Sequence, residues 1–333
     1  MTAFIRRSLA KTATALAAAS FGIAALLGVP PAAAQQWPAR PVKMILPFPA
    51  GGSTDALLRM LSDKLGQRLG QAFIVENKPG GLTLIGTNDV VHAAPDGYTL
   101  LLNANGITLL HLTLKTDFDV RRDLEPITLL RGGMLGAFIN PALPINNIRE
   151  FVAYAKANPG KLTYASTGVG SNQHIEFELF MQRAGGNLDI VQVPYKGEAP
   201  VIQALLSGDV SIYLGSFLLM GPQAAAGKLR LIAAGGTKRS PQFPDVPTYR
   251  EQGVPFTHTY WSGFFAPART PMEIARRLQT ELKAIYQLPD VYPVLTRNGE
   301  DIGGQTPEEF KKQITDEVAT WEGVVKKIGV VPQ

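Results

Sequence analysis

Two rhythms of apolar residues alternate along the chain. Val42 to Leu46, Phe73 to Glu76 and Tyr98 to Leu102 are short, mostly apolar runs of the kind that form buried strands, whereas Leu57, Leu61, Leu65 and Leu69 recur every fourth residue and mark one face of a helix. The alternation continues with a helical Ile148, Phe151, Val152 and Ala155, a strand near Ile190 to Val193, and a helix carrying Val201, Ile202, Leu205 and Leu206. Near the end, Phe310, Ile314, Val318, Trp321, Val325 and Ile328 form a helical stripe that needs an apolar surface to cover. Strand and helix taking turns predict an α/β protein with helices on both faces of its sheets.

Two junctions between these elements carry small polar residues. In the first, Phe48, Pro49, Ala50, Gly51, Gly52, Ser53, Thr54 and Asp55 link the Val42 strand to the leucine-faced helix. Glycine permits close backbone approach there, Ser53 or Thr54 is placed to cap the helix, and its first N–H groups favour a carboxylate or phosphate. The second, Ser166, Thr167, Gly168, Gly170 and Ser171, again falls between a strand and a helix, with His174 three residues further on. Two such loops predict two lobes whose helix starts face one crevice, the position where open α/β sheets bind ligands.

Composition narrows the class. The hydrophobic share of 45% and charged share of 18% are globular values. The net charge of +5 is misleading, because residues 1–34 contribute Arg6, Arg7 and Lys11 without an acid; what remains is 29 basic against 27 acidic residues, and no nucleic-acid footprint. Those residues have the layout of an export signal: a basic start, an apolar stretch from Leu16 to Val29, and Ala32-Ala33-Ala34, after which cleavage is expected. General and twin-arginine export both stay open. With no cysteine there are no disulfides, and four scattered histidines give no support to a metal site or a cofactor. A nucleophile elbow, G-x-S-x-G, is missing too, and Gly221 to Lys228 fails the phosphate-loop pattern at Leu229.

The stretches WPARPVKMILPFPAGGSTD, VENKPG, APDGYTLLL, ANPGKLTYASTGVGSNQH, VPYKGEAP, GKLRLIAAGGTKRSPQFPDVPTYREQG and WSGFFAPARTP resemble, in order and spacing, the substrate-binding proteins of tripartite tricarboxylate transporters, the Bug family. The resemblance implies a two-lobed periplasmic-binding-protein fold of type II-like layout. Residues 36–135 and 260–333 would form one lobe and 136–259 the other, joined by crossovers near Leu135 to Ile139 and Ser262 to Ala266. It implies a small organic carboxylate, a dicarboxylate or an aromatic acid, held by backbone N–H groups of the two loops. The protein would be a monomer that delivers this ligand to integral membrane subunits, or presents it to a membrane sensor, and not an enzyme. An enzyme on the same scaffold would need a nucleophile or acid–base pair that the motifs do not supply.

Asn105, Tyr195, Lys196, Gly215 and Ser216 are the expected readers of the rest of the ligand, with Arg131 a candidate for a second carboxylate. Two departures from the family stand out. Leu82-Thr83-Leu84 replaces a run of small residues, and Gly215 stands where many members carry Asp, which predicts a roomier, less negative pocket and a ligand without an amine.

Overall fold

A computed structural model describes residues 37–186, 188–195, 198–296 and 300–332. Residues 1–34, where an export signal is expected, and Lys196 lie outside the described residues. The compact unit begins at Arg40. Its first part runs β1 (Val42–Leu46), α1 (Ser53–Leu69), β2 (Phe73–Asn77), α2 (Leu84–Val91) and β3 (Thr99–Ala104), with β2 and β3 flanking β1 in parallel. The leucine stripe does what its spacing implies: Leu57, Leu61 and Leu65 are buried, and α1 stops at Gly70, which takes a left-handed conformation and donates its N–H to Gly66.

The 16-residue strand β4 (Leu124–Ile139) then ties the molecule together. Its first part, to Met134, pairs with β9 (Thr259–Pro267), which in turn pairs with β3; its second part, from Leu135, lies between β7 (Ile212–Ser216) and β8 (Arg230–Ala234). Beyond β7 come β5 (Leu162–Ser166) and β6 (Ile190–Pro194), again parallel. Helices α3 (Ile148–Ala157), α4 (Asn172–Arg183), α5 (Glu198–Ser207) and α6 (Phe217–Ala225) alternate with these strands. The predicted α/β class and the strand–loop–helix reading of both junctions therefore hold.

At Leu135 the chain exchanges partners, and a ring of backbone hydrogen bonds closes there. Leu135 N donates to His258 O (2.9 Å), His258 N to Gly235 O (2.8 Å), and Gly235 N to Leu135 O (2.8 Å). Below this junction, His258 Nε2 meets Glu176 Oε2 at 3.0 Å, with both side chains buried.

The long helices α7 (Met272–Tyr286) and α8 (Pro307–Ile328) follow β9. Helix α8 starts with a capping box, Thr306 accepting from Glu309 N while Glu309 accepts from Thr306 N. Its stripe divides between two cores. Phe310, Ile314 and Val318 pack with Ile45, Leu101 and Phe265, whereas Trp321, Val324 and Val325 pack with Phe177, Phe180 and Phe256 of the part that follows β4.

Candidate functional site

A cavity of about 510 Å³ opens between the two sets of elements. One wall comes from Pro47, Phe48 and Pro49 after β1, from Pro79, Gly80, Leu82 and Thr83 after β2, and from Asn103 to Gly106 at the end of β3. The other comes from Thr167 and from Gly170 to Gln173, the loop and first turn of α4. The two walls come close: a Cβ on Gly106 would lie 3.1 Å from the Asn172 side-chain nitrogen, Nδ2. Among the described residues, no charged side chain lines this cavity.

The second junction is built to present its helix start. Gly168 and Gly170 take φ of +125° and +80°, conformations that favour glycine. Within the loop, Gly168 N donates to Ser166 Oγ (3.1 Å), Ser171 N to Gly168 O (3.2 Å), and Gly170 N to His174 Nδ1 (3.0 Å). Ser171 caps α4 by accepting from His174 N. The amides of Gly168, Gly170 and Ser171 are thus used inside the loop. The N–H groups of Asn172 and Gln173, in the first turn of α4, have no carbonyl available within the helix, and both residues face the cavity. Neither residue stands out in the sequence, because the loop's small polar residues end at Ser171.

His174 does not reach this cavity. Its Nδ1 accepts from Gly170, burial lowers its pKa, and its ring lines a separate hollow with Lys115, Val169 and the segment Ile328 to Pro332.

The first junction differs from expectation in what organises it. Neither Ser53 nor Thr54 caps α1; the cap is Gly52, without a side-chain bond. Instead the Asp55 carboxylate, in a residue only 5% exposed, accepts from Gly51 N (3.0 Å), Asn77 Nδ2 (2.9 Å) and Arg59 Nε (3.1 Å). Asn77 also donates to Phe48 O (3.1 Å). Asp55 is therefore the loop's own internal anion, fixing Phe48 against the cavity. Ala50 to Asp55 do not line it.

Arg59 first, then the Gly51 amide and Asn77, hold the Asp55 carboxyl down to about 2 from 3.8. A depressed acid stabilises the fold above its unfolded pKa, and that contribution is lost as pH falls from about 4 through 2. Asp55→Ala is expected to lower the melting temperature at neutral pH and to shrink the acid-induced loss over that window; identical acid melts for the two proteins would remove Asp55 from this role.

Other expected contacts fall outside the cavity wall. Tyr195 and Ser216 are not part of it, and Ser216 caps α6. Gly215 does not open space: a Cβ there would lie 2.7 Å from the Tyr213 ring and 3.1 Å from Met220. Its lack of a side chain is a packing requirement, and the roomier pocket expected at Gly215 is not found. Arg131 pairs with buried Glu300 at 2.5 Å and so already has its carboxylate.

Behind the cavity sits Glu317 of α8. Its carboxylate accepts from the indole N–H groups of Trp261 (2.8 Å) and Trp321 (3.3 Å) and from the Thr108 hydroxyl (3.1 Å). Burial outweighs these donors, and with Glu176 nearby the carboxyl is raised from 4.5 to about 7. Folding thus favours the protonated form: its contribution is complete below about pH 4.5 and lost as pH rises through 7. Glu317→Gln is expected to flatten this slope, which amounts to about 3 kcal/mol in the parent protein. Denaturant melts across that range check it, and an unchanged slope would contradict the assignment.

A mixed α/β scaffold in two lobes, with a cavity walled by loops from both and a helix start facing into it, defines a solute-binding protein. The comparisons agree. Residues 57–330 match the profile of the tripartite tricarboxylate transporter family receptor, and the chain belongs to that family. It is 35% identical over 315 residues to Protein BugT of Bordetella pertussis, covering 93% of this chain and 94% of that one. A Rhodopseudomonas palustris protein solved with adipate superimposes with a TM-score of 0.71 at 31% identity, covering 89% of this chain and all (100%) of the other. MatC of Rhodopseudomonas palustris, with bound malate, gives 0.69 at 29% identity, covering 87% and 100%. The family is one of receptors, and these two members hold carboxylates.

Proposed function

We propose that this protein is an exported receptor that captures a small organic carboxylate in the cavity between its lobes and passes it to the integral membrane subunits of a tripartite tricarboxylate-type transporter. The observation that carries the reading is the first turn of α4, where Asn172 and Gln173, whose N–H groups have no carbonyl within the helix, line a cavity without charged walls. Amide donors at a helix start attract an anion, and without a paired arginine or lysine they also let it go. Phe48, Asn105, Thr167, Gly170 and Ser171 shape the remaining contact, while Ala50 to Asp55 hold Phe48 in place. The lobes are drawn at 36–135 with 260–333 and at 136–259, supported by the change of strand partner at Leu135 and the return of the chain at His258. Closure about these two passages would enclose the ligand.

Incubation with candidate carboxylates tests the reading: a raised melting temperature with the ligand recovered unchanged supports a receptor, and conversion of the ligand overturns it. For the exported form, amino-terminal sequencing is expected to begin at Gln35 or within about two residues of it; a retained Met1 would contradict processing.

A further inference from the structure

We infer that Leu82 is a specificity residue, and that it selects a ligand with a single carboxylate and an uncharged apolar body, an aromatic or branched aliphatic monocarboxylate. This rests on the receptor reading above and narrows it.

The loop after β2 holds two consecutive side-chain-bearing residues in the left-handed region, Leu82 at φ +53° and Thr83 at +81°. Glycine occupies such positions without strain, and Gly80 and Gly81 just before them do so, at +123° and +55°. A leucine and a β-branched threonine persist there only if the surroundings fix them. Around Thr83, and so next to Leu82, those surroundings are present. Thr83 N donates to Gly80 O (3.1 Å), Thr87 Oγ1 donates to Thr83 O (2.8 Å), and the buried Asn103 amide donates to both Thr83 Oγ1 (3.2 Å) and Thr87 Oγ1 (3.0 Å). Asn103 is itself locked, its Oδ1 accepting from Ala104 N at 2.8 Å.

The clamped loop leaves Leu82 69% exposed while lining the cavity. A strained leucine turned toward solvent gains nothing in the unliganded protein. It gains when an apolar surface covers it. Around the same cavity stand Pro47, Phe48, Pro79, Leu109 and Leu110, and no charged side chain of the described residues lines it, so a second carboxylate would meet only neutral partners there. The ligand's one anionic group belongs at Asn172 and Gln173, and its body against Leu82.

Calorimetric titration near neutral pH tests this, using benzoate and cyclohexanecarboxylate against adipate and malate. The parent protein is expected to bind at least one monocarboxylate about tenfold tighter than either dicarboxylate. Leu82→Asn keeps a residue that tolerates left-handed φ and removes the apolar wall. It is expected to weaken the monocarboxylate by about tenfold and to leave dicarboxylates within about twofold. Leu82→Gly relieves the strain and serves as a second variant with the same expected loss. A parent protein that prefers adipate or malate, or monocarboxylate affinity unchanged in both variants, overturns the inference and leaves the receptor reading standing. Failure of the parent protein to bind any carboxylate overturns both.

Discussion

Gly168→Val is expected to weaken carboxylate binding by about ten- to a hundredfold while the chain still folds. At φ +125° Gly168 occupies backbone space that is essentially closed to valine, and forcing it costs about 1–3 kcal/mol. No atom lies within 4 Å of where its Cβ would be, so the loop can rearrange without disturbing a core. The rearrangement is not free for function. Gly168 O accepts from Ser171 N and from Ser171 Oγ (2.7 Å), and Ser171 is the cap that sets the first turn of α4. Moving that cap misaims the amides of Asn172 and Gln173. Gly227→Val, at φ +69° with equally open surroundings but outside the cavity wall, is the matched control and is expected to bind as the parent does. Titration calorimetry with circular dichroism checks both; equal affinity for Gly168→Val and the parent would mean that this loop does not position the donors.

The largest effect on stability is expected from Gly235→Ala. A Cβ at Gly235 would lie 2.0 Å from His258 O and 2.3 Å from Leu135 O, both backbone atoms that cannot rotate away. Accommodating it means parting the strands where the chain passes between its two cores and breaking the ring of hydrogen bonds there. Overpacking costs about 1–3 kcal/mol, and each lost hydrogen bond about 1 kcal/mol more. A loss of about 4 kcal/mol is a large fraction of the roughly 5–15 kcal/mol that holds a typical protein folded. The expected fall in melting temperature is about 10 °C or more. A shift of only a degree or two would show that the junction yields easily.

Much of the fold was legible because its signals are local. Val42 to Leu46, the leucine face of α1 and the strand–loop–helix pattern of both junctions each depend on neighbours a few residues apart. What escaped depends on partners distant in sequence. Asp55 became the anchor of its own loop because Asn77 and Arg59 converge on it, and nothing in FPAGGSTD names Asn77. The α8 stripe announces a buried face, yet its period cannot say that Trp321 and Val325 change cores. Gly215 looked like an absent side chain, whereas it yields space to Tyr213; nothing in the sequence around Gly235 says that it yields space to the His258 carbonyl. At the site, the loop glycines were readable, whereas the cap on Ser171, which leaves the first unmatched helical amides at Asn172 and Gln173, depends on how the loop folds back on itself.

The central claim is that a carboxylate docks on the first turn of α4. Its most direct test is an amide-resolved magnetic resonance titration of isotope-labelled protein with benzoate, adipate and malate in turn. A carboxylate that raises the melting temperature is expected also to shift the Asn172 and Gln173 amide signals, saturably and among the largest changes observed. A ligand that stabilises the protein yet leaves those two amides unmoved would contradict it.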